Sequence, residues 1–135
     1  MANEITFENA VQELLKRLPD FAAARASDES FISHDDDSPY LVFGDLARFM
    51  INLITEGPNS PQTSDTLAET FRLLGEMAIS PDNEIANLAE AGVFEELTDK
   101  PETILAAREN LSGSSLDVFE RVVELWAPKH RLIEQ

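Results

Sequence analysis

The stretch from Ser38 to Thr55, SPYLVFGDLARFMINLIT, is the most strongly apolar segment of the chain and limits its fold more than any other. Read as a helix, it places Val42, Leu46, Phe49, Met50, Leu53 and Ile54 on one side. That spacing belongs to a helix face that has to be buried. Two starts fit the residues. Ser38 can cap a helix with Pro39 at its first position, or the helix can begin at Gly44-Asp45 after an extended Pro39 to Phe43. Glu56-Gly57-Pro58-Asn59 ends it with Gly and Pro punctuation.

A buried helix needs partners, and the flanking segments offer amphipathic ones. Thr6 to Leu18 carries Phe7, Val11, Leu14, Leu15 and Leu18 at helical spacing, and Pro19 ends it for want of an amide. Phe21 to Ala26 predicts a helical turn or short helix. Three later segments open alike: Ser60-Pro61 precedes the stripe Leu67, Phe71, Leu74, Met77; Ser80-Pro81 precedes Ile85, Leu88, Ala89, Val93, Leu97; Lys100-Pro101 precedes Ile104, Leu105, Leu111. Gly113 breaks the chain, and Ser114 with Asp117 predicts a capping box for a last helix whose Leu116, Phe119, Val122, Val123 and Trp126 face the core. Pro128 is expected to end it, leaving a tail over residues 128–135.

No segment alternates apolar and polar residues over strand length, and no Asn-Gly or Asp-Gly hairpin turn separates β-rich runs. The expected fold is all-α, an irregular bundle of six to seven helices in one domain over residues 1–135. Ser60 to Leu97 is similar to an armadillo or HEAT helical hairpin. One such pair is too few for a solenoid, which needs about three repeats.

Charge narrows function more than any motif. The 135 residues hold 26 acidic and 10 basic side chains, a formal net charge of -16. Such a field repels nucleic-acid phosphate and anionic membrane and attracts cationic partners. The acidic residues are also segregated. No Lys or Arg lies between Arg25 and Arg48, where Asp28, Glu29, Asp35, Asp36, Asp37 and Asp45 sit. None lies between Arg72 and Lys100, where Glu76, Asp82, Glu84, Glu90, Glu95, Glu96 and Asp99 sit. Blocks of this kind predict faces of one sign, which serve either solubility or the docking of a basic protein. The absence of cysteine removes disulfides and thiol chemistry. MANEITFENAVQ lacks the features of a signal peptide, and no run approaches the ~18 apolar residues of a membrane span. A cytoplasmic protein is expected.

Catalytic templates do not fit. Ser33-His34-Asp35-Asp36-Asp37 is the one cluster resembling a metal site, but metal-dependent phosphohydrolases need several histidines and this chain has His34 and His130. A calcium loop started at Asp35 would put Tyr40 where glycine is required. The sequence lacks a Walker motif, GxGxxG, HExxH and a GxSxG elbow. Adjacent carboxylates such as Glu95-Glu96 carry little information in so acidic a chain. Neither an enzyme nor a cofactor is expected. Asp45 and Arg48, three apart, suit a local ion pair or a contact with a partner.

The order of features resembles a family of small acidic helical bacterial proteins known as a domain of unknown function. It comprises LLKRLPDF, an acidic loop over about residues 27–37, Pro-x4-Gly-Asp-Leu-x-Arg-Phe, and NEIANLAEAGVFEEL. The resemblance runs from Phe7 to Leu111, with Gly44, Asp45 and Arg48 its most specific positions. Tyr40 stands where the pattern carries histidine. Such proteins are similar in size and charge to immunity proteins encoded beside polymorphic toxins. The resemblance therefore implies a non-catalytic module that neutralises a basic toxin domain, with no catalytic residues to carry over. Asp28, Glu29, Asp35, Asp36, Asp37, Tyr40, Asp45, Arg48, Glu95 and Glu96 are the expected contact residues. The alternative is a helical adaptor, alone or as a homodimer, that binds a partner helix through apolar grooves.

Overall fold

A computed structural model describes residues 5–28, 31, 33 and 36–134, with residues 127–134 as backbone alone. Among the described residues the chain forms α1 (Ala10–Arg17), α2 (Pro19–Ser27), α3 (Pro39–Glu56), α4 (Pro61–Ala78), α5 (Asn83–Ala89), a π-helical turn (Glu90–Phe94), α6 (Glu95–Leu97), α7 (Pro101–Asn110) and α8 (Gly113–Glu134). Because α5, the π turn and α6 run on without a break, the rods number seven. The fold is all-α, as expected. No helix among the described residues is long and apolar enough to cross a membrane.

Local chemistry sets most of the boundaries. Thr6 and Asn9 exchange hydrogen bonds, the Thr6 amide donating to Asn9 Oδ1 at 2.7 Å and the Asn9 amide to Thr6 Oγ1 at 3.2 Å. That brace keeps Phe7 to Asn9 in a turn and delays α1 to Ala10. Pro19 both ends α1 and opens α2, where its missing amide does no harm. α3 begins at Pro39, which selects the first of the two starts the sequence allowed. Ser60 caps α4 by accepting from the Thr63 amide at 3.2 Å.

Three expectations are corrected at helix ends. Asp82, not Ser80, caps α5, accepting from the Glu84 amide at 2.9 Å, because a helix opened at Pro81 would leave that carboxylate without its amide partner. The Ser114–Asp117 box does not form. Gly113, in the left-handed region at φ 57°, turns the chain into α8, and the Ser112 carbonyl accepts from Ser115 Oγ at 2.8 Å and from the Leu116 amide at 3.4 Å. Pro128 does not end α8, whose backbone stays helical to Glu134. A proline removes a single bond to the carbonyl four residues back, and Lys129, Arg131, Leu132 and Glu134 beyond it are good helix formers.

One hydrophobic cluster runs through the molecule from Ala10 to Val123. α3 lies at its centre and touches α1, α4, α5, the π turn, α6 and α7. The expected Val42, Leu46 and Met50 are buried, and so are Phe43 and Ala47, which single-face periodicity omitted. The π turn explains the wider burial. Its bonding, with the Glu95 amide reaching the Glu90 carbonyl, admits one extra residue, and Gly92, Val93 and Phe94 are all buried in succession. A Cβ on Gly92 would stand 3.3 Å from Phe43 Cβ, so this glycine lets α3 approach closely. On the opposite side Phe94 meets Phe119 of α8 edge to face at 5.3 Å between centroids. Each such fully buried Phe or Leu contributes about 1.5–3 kcal/mol by leaving water. Trp126, expected in the core, is 38% exposed, and Leu125 beside it 67%.

Candidate functional site

The acidic loop between α2 and α3 is pinned from both sides. Phe31 packs edge to face on Phe21, at 6.0 Å between centroids, and Phe21 in turn on Phe49 of α3 at 5.3 Å. The polar half of the anchorage converges on Ser33 and Asp45, both fully buried. The Asp45 carboxylate accepts from the Ser33 amide at 2.7 Å, from Ser33 Oγ at 2.5 Å and from the Arg48 guanidinium. Arg25 of α2 closes the ring. Its Nε donates to Ser33 Oγ at 3.0 Å, and its terminal nitrogen to the Ser33 carbonyl at 2.5 Å and to Asp37 Oδ1 at 2.7 Å. An α2 arginine, a loop serine and an α3 carboxylate thus form one clasp.

Electrostatics follows from that bonding. Burial pushes the Asp45 carboxyl up, but the Ser33 hydroxyl and amide and the Arg48 guanidinium outweigh it and hold the group below the ordinary carboxylate range. Asp36 is also held low, first by the Ser38 hydroxyl and amide donating to Oδ1 at 2.6 and 2.8 Å. Glu95 moves the other way, raised by its partial burial and by neighbouring Glu96 and Glu90.

A second junction joins the two basic-free blocks. The Asn87 side-chain amide of α5 donates to the Tyr40 hydroxyl of α3 at 2.7 Å, and the Tyr40 ring lies against Phe7, with centroids 6.1 Å apart. Tyr40 remains 43% exposed and Leu41 37%. Glu84 and Glu90 stand one turn to either side of Asn87, and Asp36 and Asp37 just precede α3. The Tyr40–Asn87 bond therefore joins two stretches whose sequence neighbours are carboxylates.

The expected contact residues divide accordingly. Asp36, Asp37 and Arg48 are exposed beside the clasp, Asp28 is exposed just past the end of α2, and Tyr40 is exposed at the junction. Glu95 is half-buried and Glu96 exposed, on α6. Asp45 is the correction: its carboxylate faces inward to Ser33 and Arg48, so it shapes the loop and presents no surface to a partner. Glu29 and Asp35, like His34, lie outside the described residues. Sequence reasoning missed Arg25, Ser33, Asn87 and Phe7. Arg25 had a detectable signal, being the cation that borders the first acidic block.

Elsewhere three arginines pair with carboxylates of the same chain. Arg17 pairs with Glu76 at 2.9 Å, Arg72 with Glu69 at 2.5 Å and Arg108 with Glu120 at 2.9 Å. Such pairing neutralises cations locally and leaves the acidic excess to the outer surface.

No curated protein and no solved structure matches the chain. The domain of unknown function DUF7674 matches residues 11–127, from the second residue of α1 into α8, and the chain belongs to that family.

Proposed function

We propose that the protein is a non-catalytic acidic binding module of the immunity type, which captures a basic toxin domain and blocks its active site. The observation that carries this reading is the junction at Tyr40 and Asn87, where two stretches without lysine or arginine adjoin. Toxins acting on nucleic acid have basic clefts, and a face of clustered carboxylates takes the place of substrate phosphates there. Opposite fields speed the encounter and fix its orientation. The test is capture of partners by the tagged protein at low and high salt, followed by reconstitution with the identified protein. The expected result is a basic enzyme whose activity is inhibited stoichiometrically and whose affinity falls as salt rises. A partner that is not inhibited, or whose affinity ignores salt, contradicts the proposal.

A helical adaptor is the second reading, favoured by a different observation. A groove of about 450 Å³ between α4 and the α7–α8 turn is lined by Phe71, Gly75, Ile79 and Leu111 among others. A helix docked there by its apolar face would hold at high salt.

A further inference from the structure

We infer that the Tyr40 face is an arginine-recognition surface, and that the segment docking on it is an arginine-rich stretch of a basic protein. This rests on the reading of the chain as an acidic docking module and names where the contact lies. The exposed ring carries the inference. Tyr40 is held by Asn87 through its hydroxyl oxygen and lies against the Phe7 ring at a tilt of 48°, so an aromatic surface is fixed in place and yet 43% open. The hydroxyl accepts from Asn87, which leaves its own proton to be donated outward. Exposed Leu41 extends the apolar centre. The chain neighbours of these residues are acidic: Glu8 follows Phe7, Asp36 and Asp37 precede Tyr40, and Glu84 and Glu90 flank Asn87 by one turn, with Asp37 bound to Arg25 yet 77% exposed at its side chain. None of Phe7, Tyr40, Leu41 and Asn87 has a lysine or arginine within four residues of it in the sequence.

An apolar centre ringed by polar groups is the anatomy of a binding hot spot. The charge of the ring selects a cation, and the aromatic ring selects which one. A guanidinium stacks on a tyrosine face and engages carboxylates two bonds at a time, whereas an ammonium is a strongly hydrated point charge. Arginine is favoured over lysine for that reason.

The experiment titrates the isotope-labelled full chain with nona-arginine and with nona-lysine, following amide chemical shifts at low salt. We expect the arginine peptide to bind about three-fold more tightly, with shifts centred on Phe7, Tyr40, Leu41 and Asn87. Tyr40→Phe keeps the ring and should keep the preference. Tyr40→Ala should abolish it, with the amide spectrum reporting whether the fold survives. Glu84→Gln with Glu90→Gln should weaken both peptides, and Asp65→Asn on α4 neither. Equal affinities for wild type, or shifts centred elsewhere, overturn the inference while leaving acidic docking standing. Failure of both peptides to bind overturns the two together.

Discussion

α3 holds two parts of the molecule by different physics. Against the π turn it uses shape and apolar area: Phe43 lies on Gly92 with no polar atom between them, and the contact is part of the continuous core. Against the acidic loop it relies heavily on one buried carboxylate, Asp45, whose acceptor sites are filled by Ser33 and Arg48. The first contact is non-directional and adds to the stability of the whole chain. The second is directional and local, and it sets the shape of the loop beside Tyr40.

The largest expected effect is on the apolar side. Phe43→Ala should destabilise the whole chain by about 3–5 kcal/mol, read as a lower urea midpoint of a single transition. A loss confined to the loop would break the distinction. Asp45→Asn comes next. It leaves Ser33 and Arg48 with a poorer acceptor, and charged hydrogen bonds of this kind are worth about 1.5–3 kcal/mol. The pH dependence sharpens the point. Because its folded value is depressed, Asp45 contributes stability that is fully present above the ordinary carboxylate value and lost as pH falls through the depressed one. Asp45→Asn should therefore flatten the acid limb of the stability curve.

Gly44→Ala should raise stability by about 0.5–1 kcal/mol, since a Cβ there meets nothing within 4 Å and α3 loses an interior glycine. Destabilisation on thermal melting would show that Gly44 serves the loop and not the helix alone. Glu95→Gln should have the smallest effect, with the sign opposite to that at Asp45. The raised carboxyl of Glu95 favours its protonated form in the fold, so its charge costs stability at neutral pH and the cost disappears as pH falls below the raised value. The variant should be slightly more stable at pH 7 and indistinguishable in acid.

The same contrast explains what the sequence disclosed. Burial of Ile85, Leu88, Ala89, Val93 and Leu97 was legible because apolar spacing reports one face of a helix. Phe94 was not, because a π turn changes the spacing and its bonding leaves no mark in residue type, and Phe43 was not, because its burial comes from the close approach of Gly92 on another element. The start of α4 was legible where serine precedes proline, the start of α3 stayed open between Ser38-Pro39 and Gly44-Asp45, and Ser80 was misleading because Asp82 offered a competing cap. The ion pair of Asp45 with Arg48 could be read from their spacing of three. The ties from Arg25 to Ser33 and from Ser33 to Asp45 span 8 and 12 residues of sequence, and no periodicity encodes such contacts. Tyr40 was singled out among the contact residues, but its bond to Asn87 spans 47 residues and depends on how α3 and α5 pack.

Amide hydrogen exchange on wild type and Asp45→Asn tests most directly the claim that a local clasp shapes the acidic loop independently of the core. The Ser33, Asp36 and Ser38 amides, which donate to Asp45, to the Ser33 carbonyl and to Asp36, should exchange faster in the variant. Amides in the middle of α4 and around the π turn should slow or quicken only with the global stability. Equal acceleration throughout the chain, or unchanged exchange at those loop amides, would contradict the account.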